Sequence, residues 1–501
     1  MSYFRAAMAG GVTRLSTLIF GFASTIIVAR VLGAEQNGIV AYAIWLSTTA
    51  VGIAELGIGN VLTRYGDGYR FGVDWKDQSG TLFLPFAVAT TAMTLAFVGW
   101  GLIQYGHGDV ADAVFWFATA VLAAVTGLAV FAGSIARGLR RWGEASRDVL
   151  IGCLLQVPAV FVGAWYFGVP GAICGYLVRN LPQAISLRHY VDPRRLRSIV
   201  LSKPLKSYAR DSWLSNLSGM LIWTRVEYIF IGFYCDNLQI GYYTIGLSLA
   251  SLMNQLSMQL SGEIVPFLGR HHDDDDHDEI KKIYQSMSRM MALLMFPLCL
   301  GGAAITPELV STLFGAAFVP ATRVSELLVA MSAVSALATV PASLIASRER
   351  TDVFVWATPL AGFLMVTGLA VTVPFGEGLA AAAVRSVVHG LWFVGLTFFV
   401  WRTFRIALPI ASLTRILISA AACAVAARLT IVSVPGPLGI VAAIGVGAIV
   451  YLLSLRLTRA FADLDRDDFA AMAVPEDRNA LQRLLLVAVD FLAPHAGRAE
   501  R

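Results

Sequence analysis

Charged residues are scarce in this sequence. Asp, Glu, Lys and Arg make up 14% of the 501 residues, whereas a soluble domain carries about 25%. Apolar residues fill 57% of the positions, which is more than the core of a soluble fold of this length can bury. The scarcity of charge therefore excludes a soluble globular protein and predicts an all-α integral membrane protein.

Motifs for catalysis and cofactor binding are also missing. The sequence contains no GxxxxGK[ST] motif, so we expect no ATPase activity of its own. The five cysteines lie in or beside apolar runs without CxxC spacing, which indicates packing residues and not disulfides or metal ligands. The tract His271–His277 is interpreted as a solvated loop, with a metal site as the alternative. We predict neither an enzyme nor a cofactor.

Apolar runs long enough to cross a bilayer recur along the chain, and each span needs roughly 20 residues. About fourteen are predicted, at 10–30, 38–63, 81–104, 113–136, 148–168, 170–188, 212–235, 239–267, 284–305, 320–346, 353–374, 377–400, 408–428 and 437–456. The predicted organisation is a six-helix lobe (1–190), a basic linker (191–211), a second six-helix lobe (212–400), two additional spans (401–460) and a cytoplasmic tail with an interfacial helix (461–501).

Basic residues fall between alternate spans, and this sets the orientation. The connections 31–37, 105–112, 306–319 and 429–436 contain no Lys or Arg. Since Lys and Arg accumulate in cytoplasmic loops, these four connections are predicted to be external. Both termini are then cytoplasmic, and the expected location is the bacterial inner membrane.

Short matches recur in the same order about 205–210 residues apart. The sixth span opens with Gly168-Val169-Pro170-Gly171-Ala172, and the twelfth opens with Gly376-Glu377-Gly378-Leu379-Ala380. The matches predict two pseudo-symmetric lobes in the same orientation, an arrangement found in secondary transporters.

Ionisable side chains inside spans are costly and are therefore candidates for function. The candidates for substrate binding in a central cavity are Arg14, Arg30, Arg179, Arg225 and Arg385. Arg179 and Arg385 occupy nearly equivalent places in the two lobes and could clamp a pyrophosphate by forked hydrogen bonds. The alternative for each is a structural ion pair. The candidates for ion coupling or charge pairing are Glu55, Glu227 and Glu263.

Two N-terminal stretches resemble Wzx-type oligosaccharide flippases of the multidrug/oligosaccharidyl-lipid/polysaccharide exporter superfamily. They are Ala29–Gly38, with Arg30 and Leu32-Gly33, and Glu55–Tyr65, with Glu55-Leu56-Gly57-Ile58 followed by Arg64. The family pattern is approximately R-x-L-G-x-x-x-[FY]-G, then [DE]-L-G-[LI], then a basic residue. Asn37 departs from it by replacing the usual aromatic residue before Gly38.

The resemblance implies translocation of an undecaprenyl-pyrophosphate-linked glycan from the cytoplasmic to the periplasmic leaflet, for O-antigen or exopolysaccharide synthesis. The implied partners are this polyprenyl-linked glycan and membrane lipid, with a polysaccharide polymerase and a chain-length regulator, and no nucleic acid. The alternatives are a lipid II flippase, a cation-coupled drug exporter and, from a different class, a membrane glycan polymerase or ligase. Short, charge-poor external loops argue against the enzyme.

Overall fold

The computed structural model describes most of the chain as helix. The described residues are 3–66, 74–196, 203–223, 225–261, 277–348, 350 and 352–460. Within them lie thirteen α-helices and no strand: α1 (Tyr3–Ala54), α2 (Ile58–Tyr65), α3 (Trp75–Gly106), α4 (Val110–Gly138), α5 (Trp142–Ser186), α6 (Lys203–Trp223), α7 (Glu227–Tyr234), α8 (Asn237–Ser261), α9 (His277–Phe314), α10 (Thr322–Ser347), α11 (Asp352–Phe404), α12 (Ile410–Ser433) and α13 (Pro437–Leu457). The all-α fold is confirmed.

Nine helical segments among the described residues are long and apolar enough to cross a membrane. Three of them, α1, α5 and α11, bend sharply at Gly33, Gly168 and Glu377. Each bent helix covers two of the predicted spans, and α6 to α8 cover the seventh and eighth. The predicted interfacial helix at 461–501 and the tract 271–276 lie outside the described residues.

The bends in α5 and α11 share one backbone conformation. Gly168 has φ 61° and ψ −137°, and Glu377, 209 positions later, has φ 50° and ψ −141°. Glycine adopts this backbone conformation readily because glycine has no Cβ, whereas other residues adopt it at a cost in free energy. The matching bends support the predicted parallel repeat. The lobe boundaries stay a prediction.

The chain packs as two compact units. Unit 1 consists of Met1–Thr244 and Thr358–Gly378, and unit 2 consists of Ile245–Ala357 and Leu379–Arg501. In unit 1, α1, α4 and α5 pack through buried residues that include Val28, Leu122 and Ile173. In unit 2, α9, α10 and α12 do so through residues that include Met295, Val340 and Ile416.

Large apolar side chains also cover the outer surfaces of both units. Trp165 on α5 is 64% exposed, Trp356 on α11 is 81% exposed and Leu457 on α13 is 83% exposed. In water such an exterior would be a liability, whereas lipid chains cover it without cost. The exterior therefore fits a multi-pass membrane protein. All five cysteines are free thiols, as expected.

Ion pairs stabilise the end of unit 1 that the sequence predicts to be cytoplasmic. The guanidinium of Arg195 donates to Asp74 at 2.8 Å and to Asp77 at 2.9 Å, which joins the residues after α5 to the start of α3. The Tyr190 hydroxyl donates to Glu144 at 3.0 Å. Burial, together with this carboxylate, raises the pKa of Tyr190 to about 12, so its hydroxyl stays protonated at neutral pH.

Candidate functional site

Arg225 lies at a break between two helices. The sequence predicts a span over 212–235, and the structure interrupts the helix within it, because α6 ends at Trp223 and α7 begins at Glu227. The Arg225 carbonyl accepts from the Tyr228 N–H at 3.1 Å. Transporters use interrupted helices of this kind to bring backbone and side-chain polar groups to a substrate site within the membrane.

The Arg225 side chain is held by a line of hydrogen bonds. Its guanidinium donates to the Tyr228 hydroxyl at 3.2 Å and lies 5.7 Å from the centre of the same ring. The Tyr228 hydroxyl is 2.8 Å from the Thr244 hydroxyl, which donates to the Ile240 carbonyl at 2.7 Å. Because the Thr244 hydroxyl donates its single proton to the Ile240 carbonyl, the Tyr228 hydroxyl donates to Thr244 and accepts from Arg225. Tyr228 is fully buried, so this line fixes the position of the arginine.

Arg179 and Arg225 act on the same tyrosine. The Tyr176 side chain on α5 lies beside Thr25 on α1 and within electrostatic range of both guanidiniums. Arg179 is one turn beyond Tyr176 on α5, and both arginines are partly buried. Three separate parts of unit 1 thus bring both guanidiniums within electrostatic range of one tyrosine. We call these two residues the arginine pair.

The fold of α5 determines where Arg179 lies. The bend at Gly168 returns the second half of α5 against the first. A Cβ added at Gly152 would overlap the Arg179 carbonyl oxygen, so the two halves are in backbone contact there. One residue beyond Arg179, the Asn180 amide donates to the Thr126 hydroxyl on α4 at 2.8 Å. These two contacts position the turn that carries Arg179.

The arginine pair can bind an anion with several oxygens. Guanidinium groups stay charged at all physiological pH values and make forked hydrogen bonds to phosphate and carboxylate. A buried cation without an anionic partner is costly, so two cations in an apolar environment favour a multiply charged ligand. Arg30, another candidate of this unit, differs in being exposed on α1. The side chain of Arg14 lies outside the described part of the structure.

Glu55 lies near an arginine that the sequence did not single out. Its carboxylate lies against Gly59 and within electrostatic range of Arg137 on α4. The Arg137 guanidinium also donates to the Ser134 hydroxyl at 3.1 Å. Arg137 was overlooked because it closes its apolar run, where a basic residue is expected from the positive-inside rule.

The other two acidic candidates have different surroundings. Glu227 is fully buried in the first turn of α7, where the positive end of the helix dipole favours a carboxylate. It is two residues from Arg225, and the structure records no ion pair between them among the described residues. Glu263 lies outside the described residues.

Arg385 lies in unit 2 and lines a small cavity of about 20 Å³ with His389, Asn254 and Ser335. The His389 Nδ1 atom is 2.8 Å from the Ser335 hydroxyl, and the ring is 6% exposed. This hydrogen bond joins α11 to α10. The predicted clamp between Arg179 and Arg385 stays a prediction.

The comparisons with known proteins agree with this architecture. A family model described as "Polysaccharide biosynthesis protein" matches residues 27–323, more than half of the chain. This chain belongs to the polysaccharide biosynthesis protein family. The matched region contains the arginine pair, Glu55 and the interrupted helix α6–α7. No curated protein matches the chain by sequence.

Solved structures of two kinds of transporter share the fold. The lipid II flippase MurJ in an inward closed conformation is similar over 92% of this chain and 100% of its own, with a TM-score of 0.70 and 11% identity. An inward-facing multidrug resistance MATE family transporter of the MOP superfamily is similar over 80% of this chain and 99% of its own, with a TM-score of 0.62 and 14% identity. A MATE structure in the straight conformation gives 0.52 over 79% of this chain and 94% of its own, at 14% identity.

The chain therefore combines membership of the polysaccharide biosynthesis protein family with the fold of transporters of the predicted superfamily, and it is a multi-pass membrane protein. At identities of 11–14% the likeness to solved structures concerns the fold alone. The Wzx-type branch stays a prediction.

Proposed function

We propose that this chain is a flippase that moves an undecaprenyl-pyrophosphate-linked oligosaccharide from the cytoplasmic to the periplasmic leaflet of the bacterial inner membrane. The observation that carries the proposal is the arginine pair around Tyr176, in a chain whose family is described by polysaccharide biosynthesis. The expected mechanism is alternating access through a cationic cavity, with O-antigen or exopolysaccharide synthesis as its purpose.

The physical argument concerns the headgroup. A pyrophosphate carries more than one negative charge, and moving it unpaired through an apolar region costs several kcal/mol per charge. Each charge-assisted hydrogen bond returns about 1.5–3 kcal/mol. The arginine pair supplies such bonds within the helical part of unit 1, so the headgroup exchanges water for guanidinium groups during transfer.

The proposed partners follow from the chemistry of the product. A glycan delivered to the outer leaflet as a repeat unit must be joined to others, so a polysaccharide polymerase and a chain-length regulator are the proposed consumers. The chain itself is proposed to perform no covalent chemistry, since its family fold is shared with transporters.

A lipid II flippase is the second candidate, because MurJ shares the fold over nearly the whole chain. It uses the same pyrophosphate chemistry and differs in the glycan. A drug exporter is less favoured, because organic cations would be repelled by the arginine pair.

The deciding experiment uses the purified full chain in liposomes. Three substrates are compared: an undecaprenyl-pyrophosphate-linked oligosaccharide, lipid II and the cation tetraphenylphosphonium. We expect transfer of the first, and loss of that transfer in Arg225→Ala. The matched control is Arg402→Ala, which removes an exposed arginine at the end of α11. Faster transfer of lipid II would favour the second candidate, and transfer of the cation alone would contradict the proposal.

A further inference from the structure

Unit 1 contains a large cavity whose lining includes neither residue of the arginine pair. It has a volume of about 990 Å³ and lies between the bends of α1 and α5, the α3–α4 turn and the start of α8. These connections include 31–37 and 105–112, which the sequence predicts to be external. A volume of this size accommodates a ligand of several sugar rings or a drug-sized molecule.

Aromatic rings form one wall of this cavity. The lining includes Tyr42, Trp100, Phe115 and Trp116. The rings of Trp100 and Trp116 have centroids 6.2 Å apart, and those of Tyr42 and Phe115 are 6.5 Å apart and stacked. The Trp116 indole N–H donates to the Asp112 carboxylate at 3.2 Å, which fixes the orientation of that ring. These rings therefore form an apolar surface, and the orientation of Trp116 within it is fixed.

Amide and carboxylate side chains form the rest of the polar lining. They are Gln36, Gln104, Asn237, Asp109 and Asp112. Amides offer both donors and acceptors, and carboxylates offer strong acceptors. Among the described residues that line the cavity, none is Lys or Arg. A pyrophosphate would meet two carboxylates there and no cation, so the cavity does not suit the headgroup.

We infer that this cavity binds the sugar portion of the transported glycan. Sugar rings have apolar C–H faces that pack on aromatic rings, and hydroxyl groups at their edges that exchange hydrogen bonds with amides and carboxylates. The cavity presents both surfaces side by side. The inference rests on the proposed function for the identity of the glycan, and it assigns headgroup and sugar to different residues of unit 1.

An organic cation is the competing ligand, because aromatic rings and carboxylates also attract cations. The contacts favour the sugar. The Asp109 carboxylate accepts from the Asp112 N–H at 2.9 Å and caps α4, and the Asp112 carboxylate holds Trp116. Each carboxylate keeps further lone pairs that can accept from sugar hydroxyls, whereas a cation has no use for the amide donors of Gln36 and Gln104. A second alternative is that Trp100 belongs only to an interfacial aromatic belt.

The test measures sugar binding without translocation. The probe is the water-soluble oligosaccharide released by mild acid from the polyprenyl-linked glycans of the cells that make this protein. Equilibrium dialysis against the purified full chain in detergent should show saturable binding, roughly tenfold weaker in Trp100→Ala. Trp100 is 49% exposed, so its removal leaves no buried void. The matched control, Trp165→Ala, removes a 64% exposed ring from outside the cavity.

Each outcome decides the matter. Binding that is weakened by Trp100→Ala and by Gln104→Ala, but not by Trp165→Ala, supports the site. Absence of saturable sugar binding, or equal binding by all variants, overturns it and leaves Trp100 as a belt residue. Tetraphenylphosphonium binding that depends on Trp100 without sugar binding assigns the cavity to cations. The released sugar has no pyrophosphate, so its binding does not depend on transfer of the lipid-linked substrate. Absence of lipid-linked glycan transfer in liposomes would therefore refute the proposed function independently of this binding test.

Discussion

The guanidinium of Arg225 donates a hydrogen bond to the Tyr228 hydroxyl across the break between α6 and α7, at 3.2 Å. The same hydroxyl is linked to Thr244 on α8 at 2.8 Å. A residue in a helix interruption would otherwise have many rotamers, and arginine loses about 2 kcal/mol of side-chain entropy when it is fixed. Tyr228 removes part of that cost before a ligand arrives. It is therefore a positioning residue for Arg225.

Arg225→Ala should reduce transfer of the lipid-linked glycan in liposomes by roughly 10- to 150-fold, which corresponds to one lost charge-assisted hydrogen bond. Arg225→Lys should restore only part of the activity, because lysine keeps the charge but not the fork. Tyr228→Phe keeps the ring and should lower the apparent affinity while leaving the charge in place. Normal transfer by a normally folded Arg225→Ala variant would refute the role of the arginine pair.

Glu55→Gln should lower the stability of the protein, because it removes a carboxylate that offsets the charge of the partly buried Arg137. Removing one partner of a buried pair costs about 3–5 kcal/mol, and we expect less here since both groups are only partly buried. The measurement is the thermal unfolding midpoint in detergent. The control is the double variant Glu55→Gln with Arg137→Gln, which should regain part of the loss. A rescue by Arg225→Gln instead would show that Glu55 pairs elsewhere.

Substitutions at the two bends, Gly168→Ala and Glu377→Gly, should have opposite effects on stability. Gly168→Ala should destabilise by about 1 kcal/mol, because alanine strains at φ 61° although a Cβ there meets no other atom. Glu377→Gly should relieve the same kind of strain at φ 50°. It also removes the hydrogen bond from Gln239 at 2.5 Å, so Gln239→Ala is the matched control. Equal unfolding midpoints for wild type and Gly168→Ala would show that alanine is not strained at this position.

The ion pairs around Arg195 predict a dependence on pH. The Lys76 backbone N–H and, secondly, Arg195 hold the pKa of Asp74 below its ordinary value. A carboxyl with a lowered pKa stabilises the folded state above its unfolded pKa of about 3.9, and this contribution disappears as the pH falls through the folded pKa. Arg195→Gln should therefore reduce the difference in unfolding midpoint between pH 6 and pH 3. An unchanged difference would show that the backbone N–H alone is responsible.

The sequence made the membrane class and the intramembrane charges predictable, because both are local properties. Arg225 stands out as a charge in an apolar run, and alternating basic loops indicate the spans. The break at Arg225 was not predictable in this way, since neither proline nor glycine marks it. Hydrogen bonds through Tyr228 and Thr244 hold the segment that follows the break. Likewise, Glu55 was recognised as a charge in need of a partner, but only the packing of α4 near the end of α1 identifies Arg137.

The orientation of the chain can be tested by cysteine labelling, and the result bears on the sugar cavity as well. In a background whose five free cysteines are replaced by alanine, we expect Gly108→Cys and Ser433→Cys to react with a membrane-impermeant thiol reagent outside intact cells. Both positions are exposed, in the α3–α4 turn and at the end of α12. Ser198→Cys, in the basic linker, should react only after the cells are broken. Gly108 precedes Asp109 of the cavity, so protection of Gly108→Cys together with external labelling of Ser198→Cys would reverse the topology and place the cavity on the cytoplasmic side. A sugar site there would meet the glycan before transfer instead of after it.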